Sequence, residues 1–314
     1  MIPTYNQSSF LERAIESALA QTYQNLEVLV GDDASTDGTA EIVAKIHSRR
    51  FSYVRNSQNL GRTENYRRLL YVHASGDYIV NLDGDDYYTD KDFITKAIRV
   101  FELDSKAVMV VASTRKLGLG FDHCAKLPQT RCLSGMQILR SLPNHSYLLT
   151  HMATVYRRRL ALDLDFYRSV AISSDWESLY RLALRGTVRY LDSSVGVWRI
   201  HGSNETRSPD ASKQMENLLI WCSIFEEARR LGMHPIEAAV RREVCISYFA
   251  QASFTIISAL GASALLGFIK EVFRRHPFAS ILILLTPFFL GRTLLSFTGY
   301  YKKKASIAGR RDSP

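Results

Sequence analysis

The sequence predicts an α/β fold, a sheet flanked by helices, followed by an all-helical C-terminal region. Three observations carry this expectation. Over the first hundred or so residues, short apolar runs alternate with amphipathic helical stretches across short connections. That is the pattern of an α/β sheet in mostly parallel order. Two of the apolar runs end in clustered acids, VLVGDD and YIVNLDGDD. From about residue 212 the strand-like runs stop and the periodicity is helical throughout.

Each element follows in turn. SSFLERAIESALAQ places Leu11, Ala14, Ile15, Ala18 and Leu19 on one helical face, and Ser9 and Glu12 have capping-box spacing at its start. NLEVLVGDD reads as a buried strand. STDGTAEIVAKIH is a turn opening a second helix, FSYVRN a strand, and residues 62–74 a helix. DYIVNLDGDD is a further strand running into acids. TDKDFITKAIRVFELD is a helix with Phe93, Ala97, Val100 and Phe101 on one face, and KAVMVVAS is a strand. Residues 114–150 read as loops with a short helix near 134–141. MATVYRR is a strand, SDWESLYRLALRG a helix closed by Gly186 at its C-cap, and VRYLDSSVGVWRI two short strands around a turn. Residues 244–269 contain no charge and suggest a helical hairpin breaking near Gly261, with a membrane span as the alternative.

The chain has 314 residues, 46% hydrophobic and 23% charged, enough for two globular domains. The expected division is 1–206 and 207–314. Four cysteines without CxxC spacing argue against a disulfide scaffold or a zinc ribbon and fit a reducing compartment. No charged segment followed by an apolar core marks a secretory signal at the start. Of the net charge of +9, +7 falls in residues 270–314. There it is interleaved with apolar runs, including PFASILILLTPFFLGRTLLSFTGYY before Lys302, Lys303 and Lys304. Pro287 and Arg292 interrupt that run. This suits a broken helix lying on a membrane surface, so the expected location is cytoplasmic and peripheral on the inner membrane face, with no nucleic-acid partner.

In open α/β sheets, ligands sit beyond the carboxyl ends of the strands. Here those ends carry Asp32 and Asp33, then Asp83, Asp85 and Asp86. Five converging carboxylates repel one another unless a cation or hydrogen-bond donors neutralise them. Hard oxygen ligands suit Mg²⁺ or Mn²⁺, which complete their shells with water and substrate phosphates. The implied centre is a metal–diphosphate site. Neither GxGxxG nor GxxxxGK[ST] occurs, which argues against dinucleotide oxidoreductases and P-loop NTPases.

At these residues the chain resembles glycosyltransferase family 2, which has the GT-A fold. PTYNQSSFLERAIESALAQTYQNLEVLVGDDASTDGT resembles the family's opening, and NLGRTENYRRLLYVHASGDYIVNLDGDDYYTD its run into the D-x-D motif. SSDWESLYRLALRG resembles the segment carrying the catalytic base, and VGVWRIHGSNET a late strand-plus-histidine motif. The resemblance covers about residues 2–206. It implies a GT-A-type nucleotide-binding sheet in which Pro3, Thr4 and Tyr5 line the base pocket and Asp32, at the strand end, is counted with them among the nucleotide-sugar-binding residues. Asp33 accepts from the base N3–H, Asp83 lies at ribose and metal, and Asp85 ligates the metal. Asp175 is the general base and His201 sits near the metal or diphosphate. Trp176 is an acceptor-site wall or a core aromatic. Family members usually carry apolar residues before PTYN that form the first strand. This chain starts Met1-Ile2-Pro3, so that strand is expected to be truncated.

The implied reaction moves a sugar from a UDP- or dTDP-sugar to a hydroxyl of a saccharide or lipid-linked acceptor, as in bacterial surface polysaccharide synthesis. One base opposite the leaving group suffices for in-line attack and inversion. A metal ion, Mn²⁺ or Mg²⁺, stabilises the leaving diphosphate. The competing readings are an inactive nucleotide-sugar-binding homologue or scaffold, and a nucleotidyltransferase. The latter usually carries a basic, glycine-rich loop where this chain has PTYNQSSF.

Overall fold

A computed structural model describes residues 1–275 apart from 125–126, 128–130, 143–148, 203, 205–207, 233–243, 246–247, 250–251, 254 and 258. Two compact units emerge: residues 1–170 with 174–201, and residues 171–173 with 202–314. In the first, the order is β1 (Ile2–Thr4), α1 (Ser8–Leu19), β2 (Val28–Asp32), α2 (Thr39–Val43) and β3 (Phe51–Arg55). Then come α3 (Arg62–Arg68), running on as a π-helical turn Leu69–His73, β4 (Tyr78–Val80), β5 (Tyr87–Tyr88) and α4 (Phe93–Leu103). β6 (Ala107–Gly118), β7 (Phe121–Cys124), β8 (Cys132–Ser134) and α5 (Gly135–Ser141) follow. A 3₁₀ turn His151–Ala153, β9 (Thr154–Arg157), α6 (Arg158–Asp163), α7 (Ser174–Ala183) and β10 (Thr187–Arg199) complete the unit.

Only part of the sheet is parallel, unlike the mostly parallel order the sequence suggests. β1 and β3 flank β2 in parallel. The other sheet runs β4-β9-β6-β10-β5, and only its β6–β10 pair is parallel. Met1 N donates to Val80 O at 2.9 Å and Leu82 N donates to Met1 O at 3.0 Å, which joins the sheets edge to edge. β1 has only three residues, but all three are buried and paired with β2. The late segment is one 13-residue strand, β10, rather than two. Register shifts between Thr187 and Val188 and between Tyr190 and Gly196 let it bend where a turn was expected.

The helices bury the predicted faces. Leu11, Ala14, Ile15 and Ala18 of α1 are buried, as are Phe93, Ala97 and Phe101 of α4. They join β1, β2 and β6 in one core. Each buried Leu or Ile contributes about 1.5–3 kcal/mol. Two end signals differ from expectation. Ser9 does not cap α1: the helix starts at Ser8, whose N–H donates to Asp37 Oδ2 at 2.9 Å, so a carboxylate from the next loop serves the orphan amide. Gly186 is not a left-handed cap. A Cβ there would lie 2.5 Å from Val108 Cγ1 and 2.7 Å from Lys106 O, so glycine is needed for close approach to β6.

The second unit contains α8 (Ala211–Arg230), capped by Asp210, and α9 (Ala262–Arg275). Met215, Leu218, Phe249, Ala252, Ile256, Phe268 and Val272 form its core. Gly261, with φ +85°, precedes α9, so the uncharged stretch does break there. No helix among the described residues is long and apolar enough to cross a membrane. Residues 277–301 and the lysines 302–304, which carry the membrane-surface reading, lie outside the described residues.

Candidate active site

The site forms where β1 ends. Asp33 N donates to Thr4 O at 2.9 Å, fixing the end of β2 beside it. From the other side Gly84 presses against the same residue. A Cβ on Gly84 would lie 3.0 Å from Thr4 Oγ1 and 2.5 Å from Gln7 Oε1, so this turn tolerates only glycine without displacement. Pro3 and Thr4 are buried, whereas Tyr5 is 45% exposed and presents its ring.

Asp32 and Asp33 are buried and held by protein donors. Asp32 Oδ1 accepts from Ser35 N at 2.8 Å and Oδ2 from Tyr53 Oη at 2.6 Å, with Arg55 Nε 3.8 Å away. Burial, then this bond to Asp32, pushes the Tyr53 phenol up. Asp33 Oδ1 accepts from Asn56 Nδ2 at 2.8 Å and Leu60 N at 2.9 Å, and Oδ2 from Gly61 N at 2.8 Å. A carboxylate has about four lone-pair sites, so these three bonds leave one on Oδ2. Between these acids and the α2 loop, Ala34 sits at φ +63°, a left-handed conformation that is uncommon outside glycine.

Asp83, Asp85 and Asp86 contrast with that pair. One oxygen from each lies within 4.8 Å of the others. Tyr66 Oη donates to Asp83 Oδ1, and Arg199 N donates to Asp86 Oδ1 at 2.8 Å. His201 Nε2 lies 2.8 Å from Asp85 Oδ2. Burial, then the Asp83 charge, raises the Asp85 carboxyl above its usual range, although His201 works against this. Burial, then Asp85 and Asp83, pushes Asp86 well above that range. Three hard oxygen donors with excess negative charge fit a divalent cation in chemistry and spacing.

An aromatic–cation ladder that sequence reasoning missed supports His201. Its ring stacks on Phe10 with centroids 5.3 Å apart. Arg199 lies over both Phe10 and Tyr87, and Arg13 lies 3.6 Å from the Tyr87 centroid. The spacing of Phe10 three residues before Arg13 on α1 was the available signal; nothing in sequence tied either to Arg199.

Asp175 occupies the second position of α7, so it is not the cap residue of that helix. It is half-buried. Its charge acts on buried Tyr66 and on His151, and Asp83 acts on the same two groups. The fold thus brings Asp175 and Asp83 to a common neighbourhood, though 92 positions separate them in the chain. Trp176 is half-buried and meets Tyr180 edge-on at 6.3 Å.

Comparison with known proteins shows the family and the fold. The family model for glycosyl transferase family 2 matches residues 1–164. The UDP-Glc:alpha-D-GlcNAc-diphosphoundecaprenol beta-1,3-glucosyltransferase WfaP of Escherichia coli is 39% identical over 88 residues, 28% of this chain and 35% of that protein. S. aureus TarS 1–349 matches with a TM-score of 0.63 at 19% identity, over 87% of this chain and 80% of that one; TarS has also been solved with UDP-GlcNAc. The mannosyltransferase PcManGT from Pyrobaculum calidifontis, solved with GDP-Man and Mn²⁺, matches at 0.57 with 16% identity, over 99% and 86% of the two chains. The match to uncharacterized mycobacterial relatives, 28% identical, spans 57% of their length. The two solved structures share the GT-A-type α/β fold with this chain.

Proposed function

The chain belongs to glycosyl transferase family 2, and from that premise we propose that it is an inverting, metal-dependent glycosyltransferase using a UDP- or dTDP-sugar. The observation that carries this reading is the crowded acid group Asp83, Asp85 and Asp86, three carboxylates within 4.8 Å of one another, set beside Asp33, which the fold holds by three donors just after β2.

In this reading Tyr5 packs against the nucleobase, with Pro3 and Thr4 forming the wall behind it. The remaining lone pair of Asp33 Oδ2 accepts from N3–H, which uracil and thymine offer and cytosine lacks. Asp32, buried with both oxygens bonded, keeps the strand end in shape. Asp83, Asp85, Asp86 and His201 are the residues that would hold Mn²⁺ or Mg²⁺. When bound, such an ion supplies Lewis-acid neutralisation of charge on the leaving diphosphate. Tyr66 orients Asp83 through its hydroxyl, and Phe10 orients His201 through ring stacking.

Asp175 takes the proton from the acceptor hydroxyl as that oxygen attacks the anomeric carbon. The glycosidic bond to phosphate breaks on the opposite face, which inverts the centre without a second carboxylate nucleophile. A lipid-linked saccharide is the proposed acceptor. The named activity of the E. coli relative and the basic, apolar composition of residues 270–314 support it, as they do a peripheral place on the inner membrane face.

The direct test is a thermal-shift panel of UDP-, dTDP-, GDP- and CDP-sugars with and without Mn²⁺. UDP- or dTDP-sugars should raise the melting temperature only with metal. A metal-independent shift, or a shift with CDP-sugars alone, would contradict the reading.

A further inference from the structure

Beneath the carboxylates lies an aromatic layer to which the reaction above assigns no task beyond Tyr66. Tyr66, Tyr156 and Tyr167 are buried and come from α3, β9 and the segment after α6. Tyr167 is the hub. Its Oη lies 2.9 Å from His151 Nε2, 3.0 Å from Asn81 Nδ2 and 3.2 Å from Tyr156 Oη. Those three partners match the one donor and two acceptor positions of a phenol. Its ring stacks on Tyr66 with centroids 4.9 Å apart at 18°.

The backbone of Tyr167 is as constrained as its side chain. Its φ is +60°, a left-handed conformation rare for a bulky residue, and Asp165 two positions earlier has φ +50°. Such a backbone persists where the surroundings over-determine it. Here Tyr167 N donates to Ser178 Oγ at 2.8 Å. Ser178 stands on α7 three residues after Asp175, one helical turn along the same side. On its other side Tyr167 stacks on Tyr66, whose hydroxyl donates to Asp83. An unbroken series of contacts therefore runs from Asp83 through Tyr66 and Tyr167 to the helix that carries Asp175.

We propose that Tyr167 is a positioning residue that sets the spacing between the donor-side carboxylate Asp83 and the base Asp175. The proposal rests on the assignment of Asp175 above. His151 holds the Tyr167 hydroxyl in place, and Ser178 holds its backbone. Surroundings that lower the His151 pKa, burial first and despite Asp175 and Asp83, favour the neutral imidazole suited to such a bond. Tyr167 touches no reacting atom; it acts through where the two carboxylates stand.

The test compares wild type, Tyr167→Phe, Ser178→Ala and Asp175→Asn, each saturated with Mn²⁺. One measurement is the UDP dissociation constant and the number of UDP-binding sites. The other is UDP release from whichever of UDP-glucose, UDP-galactose and UDP-GlcNAc wild type hydrolyses fastest. Tyr167→Phe should keep UDP affinity within about twofold and lower kcat per UDP-binding site by roughly tenfold, since small misplacements of reacting groups carry large rate effects. Ser178→Ala should show the same split to a smaller extent, and it decides the matter if Tyr167→Phe gives no UDP-binding protein. A packing role alone would lower the melting temperature and the number of binding sites while kcat per site stayed at wild type. That result would overturn the proposal. Asp175→Asn separates the two readings: wild-type turnover there defeats the base assignment, whereas impaired Asp175→Asn beside wild-type Tyr167→Phe defeats only the positioning role.

Discussion

Two acidic strand ends look alike in sequence and differ in physical state. VLVGDD and YIVNLDGDD are both apolar runs closing in carboxylates. At the first, Ser35 N, Tyr53 Oη, Asn56 Nδ2, Leu60 N and Gly61 N converge on Asp32 and Asp33. That charge is satisfied by the fold. At the second, three carboxylates approach within 4.8 Å, and burial plus mutual repulsion raises the carboxyls of Asp85 and Asp86. There the donors Tyr66, His201 and Arg199 N supply one bond each while the carboxylates still repel one another, which is the crowding a divalent cation would relieve. Donors fix the first pair in shape, with one lone pair of Asp33 to spare, whereas crowding by like charges perturbs the second group, as carboxylates at functional sites often are.

The comparison can be sharpened by removing charge at each place. The largest effect belongs to Asp175, the proposed base, which lies outside both strand ends and shares its neighbourhood with Asp83 of the second group. Asp175→Asn should lower turnover by roughly 10²-fold or more while nucleotide affinity stays near wild type, measured as steady-state UDP release beside calorimetric UDP binding. A loss of only a few-fold would place the base elsewhere.

The next effect distinguishes the groups by sign. Asp33→Asn makes the bonds from Asn56 and Leu60 neutral and turns an NH2 toward Gly61 N, which then has only Asn59 Oδ1 at 2.9 Å to accept from it. It should destabilise the protein by about 2–3 kcal/mol in denaturant melts, with or without metal. Asp86→Asn removes a repelling charge, so in EDTA its melting temperature should equal or exceed wild type. If both substitutions destabilise equally in EDTA, the distinction between the two strand ends fails.

Much of this was legible beforehand. The stripe from Leu11 to Ala18, the apolar β2 and the acids after β4 are local patterns, and local patterns survive folding. What could not be read is set by partners distant in sequence. Asp37 reaches across a loop to serve Ser8, so the capping spacing of Ser9 and Glu12 was a coincidence of composition. β10 continues through LDSS because β6 pairs alongside it with shifted register, where isolated turn propensity suggested a break. The hold on Asp33 depends on Asn56, Leu60 and Gly61, whose residue types say nothing of where their N–H groups point. The acidic strand ends and the family resemblance pointed to these carboxylates, and geometry separated the donor-held pair from the crowded group.

A smaller effect tests the strain beside the first pair. Ala34 holds φ +63°, which costs an L-residue roughly 1–2 kcal/mol. Glycine relieves that and loses about 0.4–1 kcal/mol through the unfolded chain. Ala34→Gly should therefore raise stability by up to about 1.5 kcal/mol in a urea melt, and a clear decrease would mean that the Ala34 methyl packs productively.

The central claim is that the second acidic group awaits a cation and a diphosphate. Titration calorimetry of UDP into wild type and Asp85→Asn, each in Mn²⁺ and in EDTA, tests it most directly. Wild type should bind UDP at least about tenfold more tightly in Mn²⁺ than in EDTA, equivalent to roughly 1.4 kcal/mol. Asp85→Asn should bind equally weakly in both. Equal wild-type affinity with and without Mn²⁺, or an undiminished Mn²⁺ effect in Asp85→Asn, would contradict the account.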